Sequence, residues 1–161
     1  MTEKPVASSD LDRRSEIHDM VVAFYREVAF DPLLGPVFTE VAEVDWTTHI
    51  PTLIDYWCRV LLDQPGYDGR FLAAHARVHE LDGFEPEHFD AWYDLFCETV
   101  DAAWAGPVVE RAKGHAAHMA ATLCRRLVGV EWAPARGPLS TRASLLTRRW
   151  PSASESGGDA G

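Results

Sequence analysis

Neither a signal peptide nor an anchor is expected at the start of this sequence. Its first residues, MTEKPVASSDLDRR, lack the hydrophobic stretch of a signal peptide or anchor, and no later run approaches transmembrane length. It has little positive charge. Fifteen Lys and Arg stand against 25 Asp and Glu, for a formal net charge of −10 and an isoelectric point near 5.0. That balance lacks the basic footprint of a nucleic-acid binder or of a protein held to anionic membranes. Cysteine is scarce. Cys58, Cys97 and Cys124 are widely separated, form no CxxC pattern, and read as reduced, buried thiols in a cytoplasmic protein. There is no flavin or nicotinamide fingerprint and no close His/Cys/Asp/Glu set with zinc spacing. No stretch alternates in the manner of a strand between turn signals, so the expected class is all-α.

What is present is enough for one domain with a real core: 161 residues, 47% hydrophobic and 11% aromatic. Residues 1–9 read as a loose arm, 10–130 as the folded domain, and 131–161 as a mostly disordered tail rich in Pro, Ser, Gly, Ala and Arg. Within that tail, Leu145, Leu146 and Trp150 are the residues best suited to docking. Ile17, Val21, Phe24, Tyr25 and Val28 recur at helical spacing until Asp31-Pro32 ends the pattern. Gly35-Pro36 marks a turn. Asp45 suits the cap of the next helix. Pro51 is tolerable there only in a first turn, which shifts the expected start towards Thr47 or Thr48. A short helix follows from about Phe71 to Leu81. Pro86 opens a longer one flanked by Glu85 and Glu87, and Gly106-Pro107 breaks and restarts the chain.

Two aromatic-rich helical segments carry the chemistry. His49 lies in VDWTTHIPTLIDYWCRVLL, sharing a face with Leu53 and Trp57 at i+4 and i+8. His75 lies in YDGRFLAAHARVHEL, with His79 one turn further on. Histidines on two facing helices can grip a flat metal cofactor, one binding the metal and the other facing a small ligand. Either His75 or His79 could ligate a haem iron. Phe38, Leu53, Phe71, Leu72, Phe84, Phe89 and Phe96 could line an apolar slot, and Tyr25, His49 and Trp92 could each aim a hydrogen-bond donor into it. The bland alternatives are a satisfied core histidine, a packed tyrosine and an aromatic core stripe. Trp57 reads as packing. His18, His88, His115 and His118 read as solvated or off-face positions without a role.

The stretches FYREVAFDPLLGPVF, DWTTHIPTLIDYWCRVLL, YDGRFLAAHARVHE and PEHFDAWYDLFCETVDAAWAGPVVERAKGHAAHMAATL resemble the group III truncated haemoglobins over roughly residues 15 to 128. The Gly-Gly pairs of groups I and II are missing from this stretch. The resemblance implies a shortened globin, a two-over-two helical sandwich around non-covalent haem b. It implies Tyr25, His49 and Trp92 on the distal side, Phe38 packed on the haem and Trp57 near its edge. His75 is taken as the proximal ligand, with His79 as the alternative. The expected function is reversible binding of O2 or another diatomic ligand such as NO or CO. One rival is an enzyme, an NO dioxygenase or peroxidase-like protein served by a separate reductase. The other is a haem-free helical interaction module.

Overall fold

The computed structural model describes residues 9–67 and 69–134; the expected docking residues Leu145, Leu146 and Trp150 lie outside them. Five α-helices make the fold: α1 (Arg14–Phe30), α2 (Trp46–Leu62), α3 (Phe71–Leu81), α4 (Pro86–Ala103) and α5 (Pro107–Leu123). Short π-helical turns, Val37–Val41 and Cys124–Val128, follow α1 and α5. Among the described residues there is no strand, only an isolated bridge between Ser9 and Trp104. No helix among them is long and apolar enough to cross a membrane.

The pair α1–α2 lies over the pair α4–α5. α1 packs on both α2 and α4, and α5 on both α4 and α2. The core between them follows from the helical stripes: Ile17, Val21, Phe24 and Val28 of α1 and Leu95, Phe96 and Val100 of α4 are all buried, and Phe24 meets Phe96 edge-on. α3 differs from its neighbours. It has no buried residue, although its Phe71, Ala74, His75 and Val78 form an i, i+3, i+4, i+7 stripe that would ordinarily be packed against another helix.

Local chemistry sets the helix ends. The Asp31 carboxylate accepts from the backbone N–H of Leu33 and Leu34, both at 2.9 Å, and turns the chain after α1. Gly35 then runs so close to the Ala29 carbonyl that a β-carbon would collide with it. Asp45 caps α2 as expected, accepting from Thr47 N–H at 3.1 Å. The helix nonetheless begins at Trp46, so Pro51 sits well inside it and not in its first turn. Pro51 and Thr47 are both exposed; the carbonyl that the proline cannot serve is left to water, which makes the break tolerable. At α4, His88 Nδ1 accepts from the Glu85 N–H at 2.9 Å, closing the first turn behind Pro86.

The cap of α5 comes from far away in sequence. The Asp10 carboxylate accepts from Val108 N–H at 3.0 Å and Val109 N–H at 2.9 Å, the donors left over at a helix start. Gly106 permits this close approach with φ 141°, and a β-carbon there would run into Asp10. Partial burial pushes the Asp10 carboxyl up, but the backbone donors Val108, Leu11 and Val109, with Arg111, outweigh it and hold the pKa below its usual value. A depressed carboxylate stabilises the fold above its unfolded pKa of about 4 and loses that contribution as pH falls through the folded value. Asp10→Ala is expected to cost about 1 kcal/mol at pH 7, at the lower end of capping effects because water screens this carboxylate. Urea melts at pH 7 and pH 3 check it; the gap between variant and parent should narrow at the lower pH.

The packed chain continues past residue 130. Trp132 is buried, donates from its indole N–H to Asp90 Oδ1 at 2.9 Å, and meets the Tyr93 ring edge-on at 5.7 Å. All three cysteines are free and buried.

Candidate functional site

The unpacked stripe of α3 faces a cavity of about 440 Å³, within the roughly 300–1,000 Å³ typical of cofactor and ligand sites. α3 supplies Phe71, Ala74, His75 and Val78. α2 supplies His49, Thr52, Leu53, Tyr56 and Trp57 from the opposite side. Tyr25 of α1, Phe38 of the π-helical turn, and Phe89 and Trp92 of α4 close the depth, while Gly69 and Arg70 lie just before α3.

His75 is half-buried at this wall. Its Nδ1 lies 2.8 Å from the carbonyl oxygen of Phe71, one helical turn back. A carbonyl can only accept, so Nδ1 carries the proton and donates, leaving Nε2 with its lone pair. Burial lowers the His75 pKa, and the Phe71 carbonyl opposes that only in part. The ring is therefore neutral near pH 7, the form that binds metals.

On the other side, His49 belongs to an aromatic cluster. Its ring lies 5.9 Å from Tyr25, 5.8 Å from Trp46 and 6.2 Å from Phe38, while Phe38 and Trp46 stack at 5.7 Å. Burial lowers the His49 pKa, and the charge that His75 would carry across the cavity lowers it further. Tyr25 is almost fully buried. Burial pushes its phenol well above the ordinary value, opposed by a hydrogen bond from Trp92. The indole N–H is a donor only, so it spends itself on the Tyr25 oxygen and leaves the Tyr25 O–H to donate elsewhere.

The solved group III truncated hemoglobin of Campylobacter jejuni superposes with a TM-score of 0.64 at 24% identity, over 79% of this chain and 95% of that one. The fold is that of a truncated haemoglobin. A curated group 3 truncated hemoglobin from Campylobacter jejuni is 27% identical over 112 residues, covering 65% of this chain and 86% of the relative. No family model matches the chain. The resemblance to group III truncated haemoglobins and the two-over-two helical architecture expected from the sequence are both upheld.

Of the expected site residues, Tyr25, Phe38, His49, Leu53, Phe71, His75, Phe84, Phe89 and Trp92 line the cavity. Three do not. Leu72, expected on the slot wall, is 39% exposed and outside the lining; it lies about 100° round the helix from Phe71, off the inward stripe. Phe96 is fully buried one layer behind, stacked on Trp57 at 5.2 Å and on Trp92 at 5.7 Å. His79 does not reach the cavity. Its Nδ1 accepts the backbone N–H of Phe84 at 2.8 Å and its ring stacks on Phe84 at 5.8 Å, so it secures the turn between α3 and α4.

Two histidines read as solvated are not. His88 is half-buried at the cavity and caps α4. His115 is half-buried, and its Nε2 lies 2.7 Å from the Tyr56 hydroxyl. His18 and His118 are exposed. Sequence reasoning also passed over Tyr56, Met119, Arg70 and Tyr67, all on the lining. For Tyr56 a signal existed: it follows His49 by seven residues and Leu53 by three, on the same helix face.

Proposed function

We propose that the chain is a haem protein, with non-covalent haem b held in the cavity between α2 and α3. The observation that carries this reading is the helix α3, whose apolar stripe faces a cavity while one of its histidines is oriented by a backbone carbonyl. Metal-binding histidines are commonly fixed in just this way through the nitrogen that does not ligate. Among the described residues no group of three or more His, Cys, Asp and Glu side chains is placed to hold a bare metal ion. A porphyrin asks less of the protein, since it brings its own equatorial nitrogens and needs one axial ligand.

In this reading His75 provides that ligand through Nε2. Phe38, Leu53, Phe71, Phe84 and Phe89 hold the macrocycle by apolar contact and keep water out. Arg70, exposed at the cavity, provides a cation suited to a propionate carboxylate. Haem would supply an open coordination position for O2 or another diatomic molecule such as NO or CO. Tyr25 would offer its O–H to that space with Trp92 donating to the phenol oxygen, and His49 would border the same region from the first turns of α2. A buried donor held in place without a competing water favours ligands that gather negative charge, O2 over CO. Steady turnover of NO or peroxide at the same site would need reducing equivalents from outside, a separate reductase among the possible sources, because the sequence carries no flavin or nicotinamide motif.

The test is an optical spectrum of the purified ferrous protein with and without CO. A Soret band that shifts on CO addition is the expected result. A protein that shows no such band, even after haem is offered, would leave a helical interaction module as the reading that stands.

A further inference from the structure

Behind the donors just described, the cavity wall carries a tyrosine paired with a base. Tyr56 of α2 lines the cavity, stacks on Phe71 at 5.9 Å with an interplanar angle of 10°, and meets Tyr67 edge-on at 5.1 Å. Its hydroxyl lies 2.7 Å from His115 Nε2 and 3.3 Å from Met119 Sδ. A thioether is a weak acceptor and an imidazole nitrogen a good one, so the phenol proton belongs on the line to His115 when that ring carries its own proton on Nδ1. Burial holds His115 below the ordinary histidine pKa, with His118 adding to the effect, so the ring is neutral and its nitrogen available. Burial, with Tyr67 nearby, pushes the Tyr56 phenol up to about 12, so it holds its proton at rest.

A buried phenol gives up an electron readily only if its proton has somewhere to go, because a protonated phenoxyl cation in an apolar wall is too costly. Tyr25, on the same cavity, has a different partner: it receives a hydrogen bond from Trp92, which cannot take a proton. Resting on the haem reading above, we infer that Tyr56 is a redox-active tyrosine that returns an electron to the cofactor after a hydroperoxide has been reduced there, with His115 as its proton acceptor.

Reduction of a hydroperoxide to an alcohol (or, for hydrogen peroxide, to water) and water takes two electrons from the loaded site and two protons from solvent. Tyr56 returns these electrons one at a time, in two successive rounds. In each round its O–H bond breaks, the electron passes to the oxidised cofactor, and the proton moves to His115 Nε2. A neutral tyrosyl radical and an imidazolium remain. A one-electron donor of the ascorbate or small-phenol class then reduces the radical, the proton returns from His115, and the pair is restored.

The experiment is freeze-quench electron paramagnetic resonance on the full-length, haem-loaded ferric protein mixed with hydrogen peroxide, with ring-deuterated tyrosine in a parallel sample. Spin trapping followed by peptide mapping locates the radical. Wild type is expected to give a signal that narrows on tyrosine deuteration and an adduct on Tyr56. Tyr56→Phe, which keeps the stacked ring, should lose that signal and adduct. His115→Gln, which keeps a polar side chain but no base, should slow formation of the radical by roughly a hundredfold. An unchanged signal in Tyr56→Phe, an adduct at Tyr25 or a tryptophan instead, undiminished kinetics in His115→Gln, or a wild type without any radical would each overturn the inference. The Soret band and its CO shift are recorded on every sample. Bound haem without a Tyr56 radical defeats this inference alone, whereas failure to take up haem defeats the functional reading with it.

Discussion

His75→Ala is expected to abolish proximal ligation, and His79→Ala to leave it intact. The two residues sit one turn apart on the same short helix, yet their surroundings differ in kind. His75 lines the cavity with Nδ1 committed to the Phe71 carbonyl, so its remaining nitrogen is the free one. His79 has already spent Nδ1 as an acceptor for the Phe84 N–H and lies outside the lining. In the ferrous protein, His75→Ala should lose the five-coordinate histidine spectrum and hold haem far more weakly, with added imidazole restoring the spectrum by filling the space left by the side chain. His79→Ala should keep the spectrum and lose about 1–2 kcal/mol of stability, from the partner removed from a half-buried backbone donor. Resonance Raman of the iron–histidine stretch together with urea melts of both variants distinguishes the two. Loss of the stretch in His79→Ala alone would move the ligand by one turn.

This contrast also marks where the sequence stops being informative. The α3 boundaries were legible because Asp82-Gly83 stops the helix and the loop before Phe71 has no helical pattern. A helical projection places 75 and 79 only about 40° apart, so periodicity cannot separate them. What separates them is the chain after Gly83 turning back to lay Phe84 on the His79 ring, a contact that no local pattern encodes. Leu72 was a different kind of miss. The stripe Phe71, Ala74, His75, Val78 already excluded it, and hydrophobicity alone had placed it on the wall. Pro51 was judged by a local rule that water at an exposed carbonyl relaxes.

The pairing of Tyr56 with His115 spans 59 residues of sequence. His115 read as a solvated helix position, but α2 packs against α5 and brings the Tyr56 hydroxyl to its Nε2. The same limit applies to Asp10, whose carboxylate finds its α5 donors 98 and 99 residues away. Contacts within one helix or turn could be read directly; those made by one element covering another could not. Trp132 shows the limit of composition, since a Pro- and Ala-rich neighbourhood concealed an indole with an aromatic partner on one side and a carboxylate at its N–H.

Trp57→Ala is expected to produce the largest loss of stability of any single substitution in the cavity wall, about 3–5 kcal/mol. Trp57 is 2% exposed and is among the largest fully buried side chains. Its indole stacks on Phe96 at 5.2 Å with an interplanar angle of 12°, and meets Tyr56 at 5.7 Å and His115 at 5.6 Å edge-on. Phe96 in turn stacks on Trp92 and meets Phe24 edge-on, so one ring joins α2 to both α4 and α1. Removing it opens a void bordered by α2, α4 and α5, and each of them relaxes only as far as its other contacts allow. Trp57→Phe retains a stacking ring and should recover more than half of the loss. Trp57 packs the wall through its ring contacts with Phe96, Tyr56 and His115, apart from Tyr25, His49 and Trp92. The haem-loaded Trp57→Phe protein should therefore keep the CO-shifted Soret band of the parent while its urea midpoint falls. A wild-type midpoint in Trp57→Ala, or a Trp57→Phe protein that is stable but no longer takes up haem, would instead make this residue part of the binding surface in its own right.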